Sequence, residues 1–239
     1  MVGTVGPLAL TDTFGFSCSA QVPCFNDCCR DLNQLLTPYD ILRLKKRLAL
    51  PSDLFLQRYT RTGIGPETGL PVVTLKAGPA PEKPCPFVSR QGCRVYEDRP
   101  SSCRMYPLAR VVSRSRETGR IREAYLLLQE PHCLGFTRNR IVTVGQWLVE
   151  QEFAAYNQMN DLMMDIIGMK NARQPGPLDN DQQRVFRLAL YDLDTFRNFL
   201  DQAADREKGG LEPDAARGGD DETELLRFGF QWVKRNLFP

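Results

Sequence analysis

The sequence predicts an α+β fold, and three observations carry that prediction. Helical-period apolar residues dominate the second half of the chain. The first half is broken by Gly and Pro around short β-branched runs. All eight cysteines fall before residue 134.

In chain order, residues 1 to about 30 read as irregular, with Cys24, Cys28 and Cys29 closely set ahead of Arg30. Thr37-Pro38 opens a helix, Thr37 as N-cap and Pro38 at the first helical position, with Ile41, Leu42, Leu44 and Leu48 on one face. Pro51-Ser52-Asp53 starts a second, short helix bearing Leu54, Phe55 and Tyr59. From Gly63 to Pro84 the one strand candidate is Val72-Val73-Thr74-Leu75. The segment Cys85 to Cys103 is too broken for a long helix. Arg110–Ser113 and Arg122–Leu126 flank a hairpin turn around Thr118-Gly119.

A long helix is expected from Thr143 to about Met169, through Trp147, Phe153, Tyr156, Met159 and Met163, with Pro175-Gly176-Pro177 beyond it. Another runs from about Asp179 to Asp205 with Val185, Leu188, Leu193, Phe196 and Phe199 in register. A last one spans Glu222 to Leu237. The expected organisation is a cysteine-cluster domain over 1–140 and a helical region over 141–239 packed on it, with a polar linker at about 206–220. The Met and aromatic stripes read as core.

With 239 residues and 42% hydrophobic content, the chain buries a core without cross-links. Its net charge of +2 points to no particular partner. Nine Arg and three acidic residues lie between Ser89 and Arg122, and nine acidic and three basic residues between Asp201 and Glu224. No aromatic interleaving accompanies the basic stretch, so no nucleic-acid surface is expected. Met1 to Phe16 has neither a basic start nor a continuous apolar run. Leu162–Met169 is far short of the ~20 residues of a membrane span. The expectation is a cytoplasmic protein without membrane contact, in which thiols stay reduced.

Eight thiols in a reducing compartment point to metal as the partner. The set is Cys18, Cys24, Cys28, Cys29, Cys85, Cys93, Cys103 and Cys133, spaced C-x5-C-x3-C-C, then C-x7-C-x9-C, then one cysteine beside the only histidine, His132. Soft thiolates select zinc, copper(I) or iron–sulfur clusters. Eight is the number that two four-coordinate sites would use. Ferredoxin spacings and a thioredoxin-like C-x-x-C are absent. Only Cys24-x3-Cys28 resembles a zinc knuckle. The adjacent Cys28 and Cys29 serve one tetrahedral ion poorly and suit two ions or a cluster. A single buried cysteine would read as a small hydrophobe; eight among Gly, Pro and Arg do not.

The segments Phe16-Ser17-Cys18, Cys24 to Cys29, Cys85-Pro86-Phe87 and Cys93-Arg94-Val95-Tyr96 through Arg99-Pro100 to Cys103-Arg104-Met105-Tyr106-Pro107 resemble the YkgJ-type cysteine-cluster family. His132-Cys133-Leu134-Gly135 is similar to its final H-C-P-G element, with Leu134 in place of Pro. The resemblance covers about 16 to 136 and implies chelation of zinc or iron, with no settled reaction. A related cluster in flagellin lysine N-methylase keeps protein methylation open as a rival, as is a structural-zinc module that binds a protein partner. No glycine-rich strand-to-helix turn supports a methyl-donor site.

Around the second cysteine group, Arg90, Arg94, Arg99 and Arg104 are placed to offset thiolate charge, Arg99 and Arg104 foremost. Tyr96 and Tyr106 are expected to pack the site. His132 could replace one cysteine as ligand. Asp192 and Asp194, two apart on a helix, are expected to diverge and to serve in ion pairs or helix-end contacts, not as a catalytic pair.

Overall fold

The computed structural model describes residues 3–114, 121–137, 140–206 and 221–239. They form an α+β chain, about 47% helical and 20% strand. The strands are β1 (Gly3–Leu8), β2 (Thr13–Gly15), β3 (Leu35–Leu36), β4 (Thr60–Ile64), β5 (Pro71–Leu75), β6 (Val88–Ser89), β7 (Gly92–Cys93), β8 (Leu108–Arg114), β9 (Ile121–Gln129) and β10 (Ile141–Thr143). The α-helices are α1 (Pro38–Arg47), α2 (Ser52–Tyr59), α3 (Ser101–Met105), α4 (Val144–Glu150), α5 (Phe153–Arg173), α6 (Asn180–Tyr191), α7 (Leu193–Arg206) and α8 (Glu222–Leu237). No helix among the described residues is long and apolar enough to cross a membrane.

The chain divides into two compact units that interleave in sequence: residues 1–32 with 77–155, and 33–76 with 156–239. The linker expected at about 206–220 lies, from residue 207 on, outside the described residues.

In the first unit, an antiparallel sheet has the order β1-β9-β8, and β10 pairs with β2 and β6 with β7. The N-terminal stretch expected to be irregular thus contains two strands. β1 has no alternating pattern, and its residues are almost all exposed. It is a strand because its backbone groups pair with β9, Gly3 opposite Gln129 through Val5 opposite Leu127. The β8–β9 hairpin forms as expected; its turn at Thr118-Gly119 lies outside the described residues. The core centres on Phe16, whose ring meets Tyr106, Phe136 and Trp147 at centroid distances of 5.2–5.8 Å. Trp147 Nε1 donates to Met105 O at 3.1 Å, so the buried indole is satisfied.

The helix expected from Thr143 to Met169 is instead two, α4 and α5, parted at Gln151-Glu152. The Thr143 cap is there, with a capping box to Gln146. The break occurs because Glu152 takes φ +52° and because two arginines seize the corner. Arg104 Nη1 donates to Gln151 O at 2.7 Å, and Arg99 Nη2 to the Gln151 side chain.

In the second unit, β3-β5-β4 form an antiparallel sheet. Thr37 caps α1 with a full capping box from Asp40, and Pro38 follows. The helix expected over Asp179–Asp205 is again two. Asp192 leaves helical geometry at φ −110°, ψ 66°, and its carbonyl accepts from Phe196 N at 2.9 Å to begin α7. Ser52, fully buried, holds that corner. Its hydroxyl donates to Asp192 Oδ1 at 2.6 Å and accepts from Asp194 N at 3.0 Å. Its amide donates to Asp194 Oδ2 at 2.6 Å. The two carboxylates therefore converge on one serine instead of diverging, while making the ion pair and helix-end contacts expected of them. Lys45, 5% exposed, bridges Asp194 at 3.0 Å and Glu222 at the start of α8.

Two outcomes test these contacts. A Cβ on Gly229 would sit 2.3 Å from Ala189 O, where α8 crosses α6. Gly229→Ala should therefore destabilise the protein by about 2–3 kcal/mol in urea denaturation; a neutral effect would contradict so close a crossing. Burial alone would raise the Asp194 pKa, but the Ser52 amide and hydroxyl and the Lys45 ammonium outweigh it and hold the carboxyl below its usual range. A depressed carboxylate stabilises above its unfolded pKa and loses that contribution as pH falls through the folded one. Asp194→Asn should cost about 1 kcal/mol at pH 7, discounted for partial exposure. That difference should shrink below about pH 4; an equal loss at pH 7 and pH 3 would contradict the assignment.

Candidate metal centre

The eight cysteines all lie in the first unit, on four stretches of chain that main-chain hydrogen bonds tie together. Ser17 N donates to Gly135 O at 3.0 Å, setting the residue before Cys18 beside the strand end that carries Cys133. Leu134 N then points at Cys24 Sγ, 3.1 Å away and 110 positions apart in sequence. Gly135 permits this approach, because a Cβ there would lie 2.5 Å from the Phe16 ring.

Between Ser19 and Arg30 the backbone turns on itself repeatedly, with Phe25 N to Val22 O at 2.9 Å, Asp27 N to Cys24 O at 3.0 Å and Cys29 N to Asn26 O at 3.0 Å. Asn26 sits in the left-handed region at φ +72°, a conformation asparagine tolerates. Its side-chain amide donates to Ser89 O at 2.9 Å. Cys85 N donates to Cys29 O at 2.8 Å, which sets the second cysteine group against the first. The β6–β7 hairpin pairs Val88 with Cys93, and its turn depends on Gly92 at φ +114°, against which the Phe25 ring lies. Cys103 projects from the short helix α3.

Cys18, Cys28 and Cys103 are exposed and the other five half-buried. The sulfurs are within electrostatic reach of one another in an unbroken chain: Cys18 with Cys24, Cys28 and Cys133, Cys29 with Cys28, Cys85 and Cys103, and Cys93 with Cys85 and Cys28. Among the described residues no three Cys, His, Asp or Glu side chains stand at metal-ligand spacing. A hydrogen bond between Cys28 and Cys29 draws the Cys28 thiol down and pushes Cys29 up. Burial pushes Cys18, Cys85 and Cys93 up. Backbone amides turn toward sulfur at Cys85, from Phe87 at 3.5 Å, and at Cys93, from Val95.

The arginines divide their work. Arg94 and Arg99 lower the Cys93 thiol against its burial, and Arg94 does the same at Cys85. Arg104 is buried, 3% exposed, not a surface residue; its guanidinium bonds Gln151 O and Glu97 O. Arg99 bonds Tyr96 O and lies 3.8 Å over the Tyr96 ring. Tyr96 itself is 54% exposed and seals nothing, contrary to the packing role expected of it. Tyr106 packs on Phe16, and its hydroxyl is buried with no hydrogen bond among the described residues. Cys133 and Glu130 lie beside that hydroxyl. His132 is half exposed, its Nε2 3.6 Å from the Glu130 carboxylate.

A cluster of soft donors, gathered by main-chain contacts and bordered by guanidinium groups, defines a chelating module of the cysteine-rich kind. Residues 17–133 match the family model CxxCxxCC, described as a "putative zinc- or iron-chelating domain". No curated protein and no solved structure matches the chain.

Sequence reading missed three members of this surround: the Leu134 amide, the orphaned Tyr106 hydroxyl, and Gln151, which receives both arginines. Only Asn26 carried a local signal, being a left-handed-tolerant residue between cysteines. The close approach at Gly135 predicts that Gly135→Val costs about 2–3 kcal/mol and lowers the metal content of the purified protein. Thermal melting and metal counting check this; full metal content in a folded variant would contradict it.

Proposed function

We propose that the protein is a metal-chelating module in which Cys18, Cys24, Cys28, Cys29, Cys85, Cys93, Cys103 and Cys133 hold an iron–sulfur cluster or thiolate-bound zinc. The observation that carries this reading is the set of hydrogen bonds, Ser17 N to Gly135 O, Leu134 N to Cys24 Sγ and Cys85 N to Cys29 O, that brings the cysteine-bearing stretches of chain together. The donor set fits: thiolates suit zinc and cluster iron. The buried Tyr106 hydroxyl beside Cys133, lacking a hydrogen bond, fits a sulfur that becomes a charged acceptor on binding.

Ligand thiols must lose their protons, so the Cys28–Cys29 hydrogen bond gives way when they bind. The chain's residues then have distinct tasks. The amides of Leu134, Phe87 and Val95 orient sulfur. Arg94 and Arg99 offset the negative charge that thiolates add. A bound cluster would supply electron transfer, and bound zinc a cross-link that stabilises the fold. Among the two occupants the cluster is favoured, because paired knuckles are missing and adjacent Cys28 and Cys29 suit metals that lie apart.

Metal analysis with a visible spectrum on protein purified without oxygen tests this. Broad visible absorption with matching iron and sulfide supports the cluster. A colourless protein holding zinc supports chelation and replaces the occupant. A folded protein that neither carries nor takes up metal contradicts the proposal.

A further inference from the structure

The second unit carries an aromatic surface that chelation leaves unused. Helix α8 buries Leu225, Leu226, Gly229, Phe230 and Val233. Away from that face, Glu224, Phe228, Trp232 and Arg235 follow one another at steps of four, four and three residues, which places them in one stripe. The two charged ends are exposed and the two aromatics half-buried. Phe199 of α7 widens the stripe; it is 43% exposed and its ring lies 6.1 Å from that of Trp232. Fully buried Phe196 forms the floor, 6.3 Å from Phe228 and 5.5 Å from Trp232. Single exposed apolar residues are ordinary, whereas a contiguous patch rimmed by polar groups marks an interaction surface.

The order of residues along the stripe identifies what fits it. It reads acid, aromatic, aromatic, base, so it is complementary to itself reversed. We infer that this face binds a second copy of the chain, with the two α8 helices antiparallel across a two-fold axis. Glu224 of each copy then faces the other's Arg235, Phe228 faces the other's Trp232, and Phe199 closes the side. Such an isologous contact makes every pairing twice. A parallel arrangement would instead set Glu224 against Glu224 and Arg235 against Arg235, and like charges opposed across an interface are costly. Within one chain Glu224 pairs with Arg227 at 3.2 Å, both side chains well exposed, a contact weak enough to exchange. Arg235 has no ion-pair partner among the described residues. The aromatics supply the buried centre of the contact and the charges its orientation. The cysteines lie in the first unit, so the contact does not depend on what they hold.

Sedimentation equilibrium of the full chain over a range of concentrations should show a monomer–dimer equilibrium. Glu224→Arg and Arg235→Glu should each weaken it about tenfold or more, because each variant opposes like charges at two places. Mixed in equal amounts, the two variants should form a heterodimer about as tight as the wild-type homodimer, because both pairs are then opposite in charge. Circular dichroism reports whether each variant folds. Phe199→Ser, on the other helix, should weaken the homodimer by a similar factor and carries the test if a charge variant does not fold. A wild-type chain that stays monomeric at every soluble concentration would overturn the inference and leave the face to an unlike partner. A dimer that keeps its wild-type affinity in the folded variants would overturn it too. So would charge variants that fold, lose self-association and still fail to associate when mixed.

Discussion

Main-chain hydrogen bonds between distant stretches of chain determine whether there is a site at all. Ser17 to Gly135, Cys85 to Cys29, and the Leu134 amide on Cys24 sulfur bring together segments that are far apart in sequence. Closing such loops costs entropy, which grows only slowly with their length. The packed first unit offsets it through the Phe16 aromatic cluster and the β1-β9-β8 sheet. The fold thereby brings the cysteine-bearing segments of the first unit together.

Arginine has two roles here that sequence spacing cannot distinguish. Arg94 and Arg99 act on sulfur by charge. Arg104, the residue after Cys103, is buried and donates hydrogen bonds to Gln151 O and Glu97 O, so it fixes the corner between α4 and α5. The cysteine helix and the start of the helical segment are thus mechanically joined within one unit. A change at Gln151 would be felt at Cys103 through that arginine.

Much of the fold was legible because its signals are local. Thr37-Pro38 at α1 and Thr143 at α4 each satisfy orphan amides from within one helical turn. What escaped has long-range causes. Glu152 and Asp192 carry no Gly or Pro punctuation, and their breaks are imposed by Arg104 and by Ser52, from residues remote in sequence. β1 is exposed and lacks alternation, so only its pairing with β9 makes it a strand. The interleaving of residues 33–76 with 156–239 carries no local mark in the sequence. The cysteines themselves were legible as a set, since eight thiols before residue 134 have few other physical explanations. Which of them are held and which are open was not, because it depends on amides contributed by Leu134, Phe87 and Val95.

The central claim is that metal is bound by these sulfurs and not by the nearby carboxylates and His132. X-ray absorption at the edge of the metal carried by the purified protein reads its donor atoms directly. A first shell of sulfur is the predicted result. A shell dominated by oxygen or nitrogen would contradict the account.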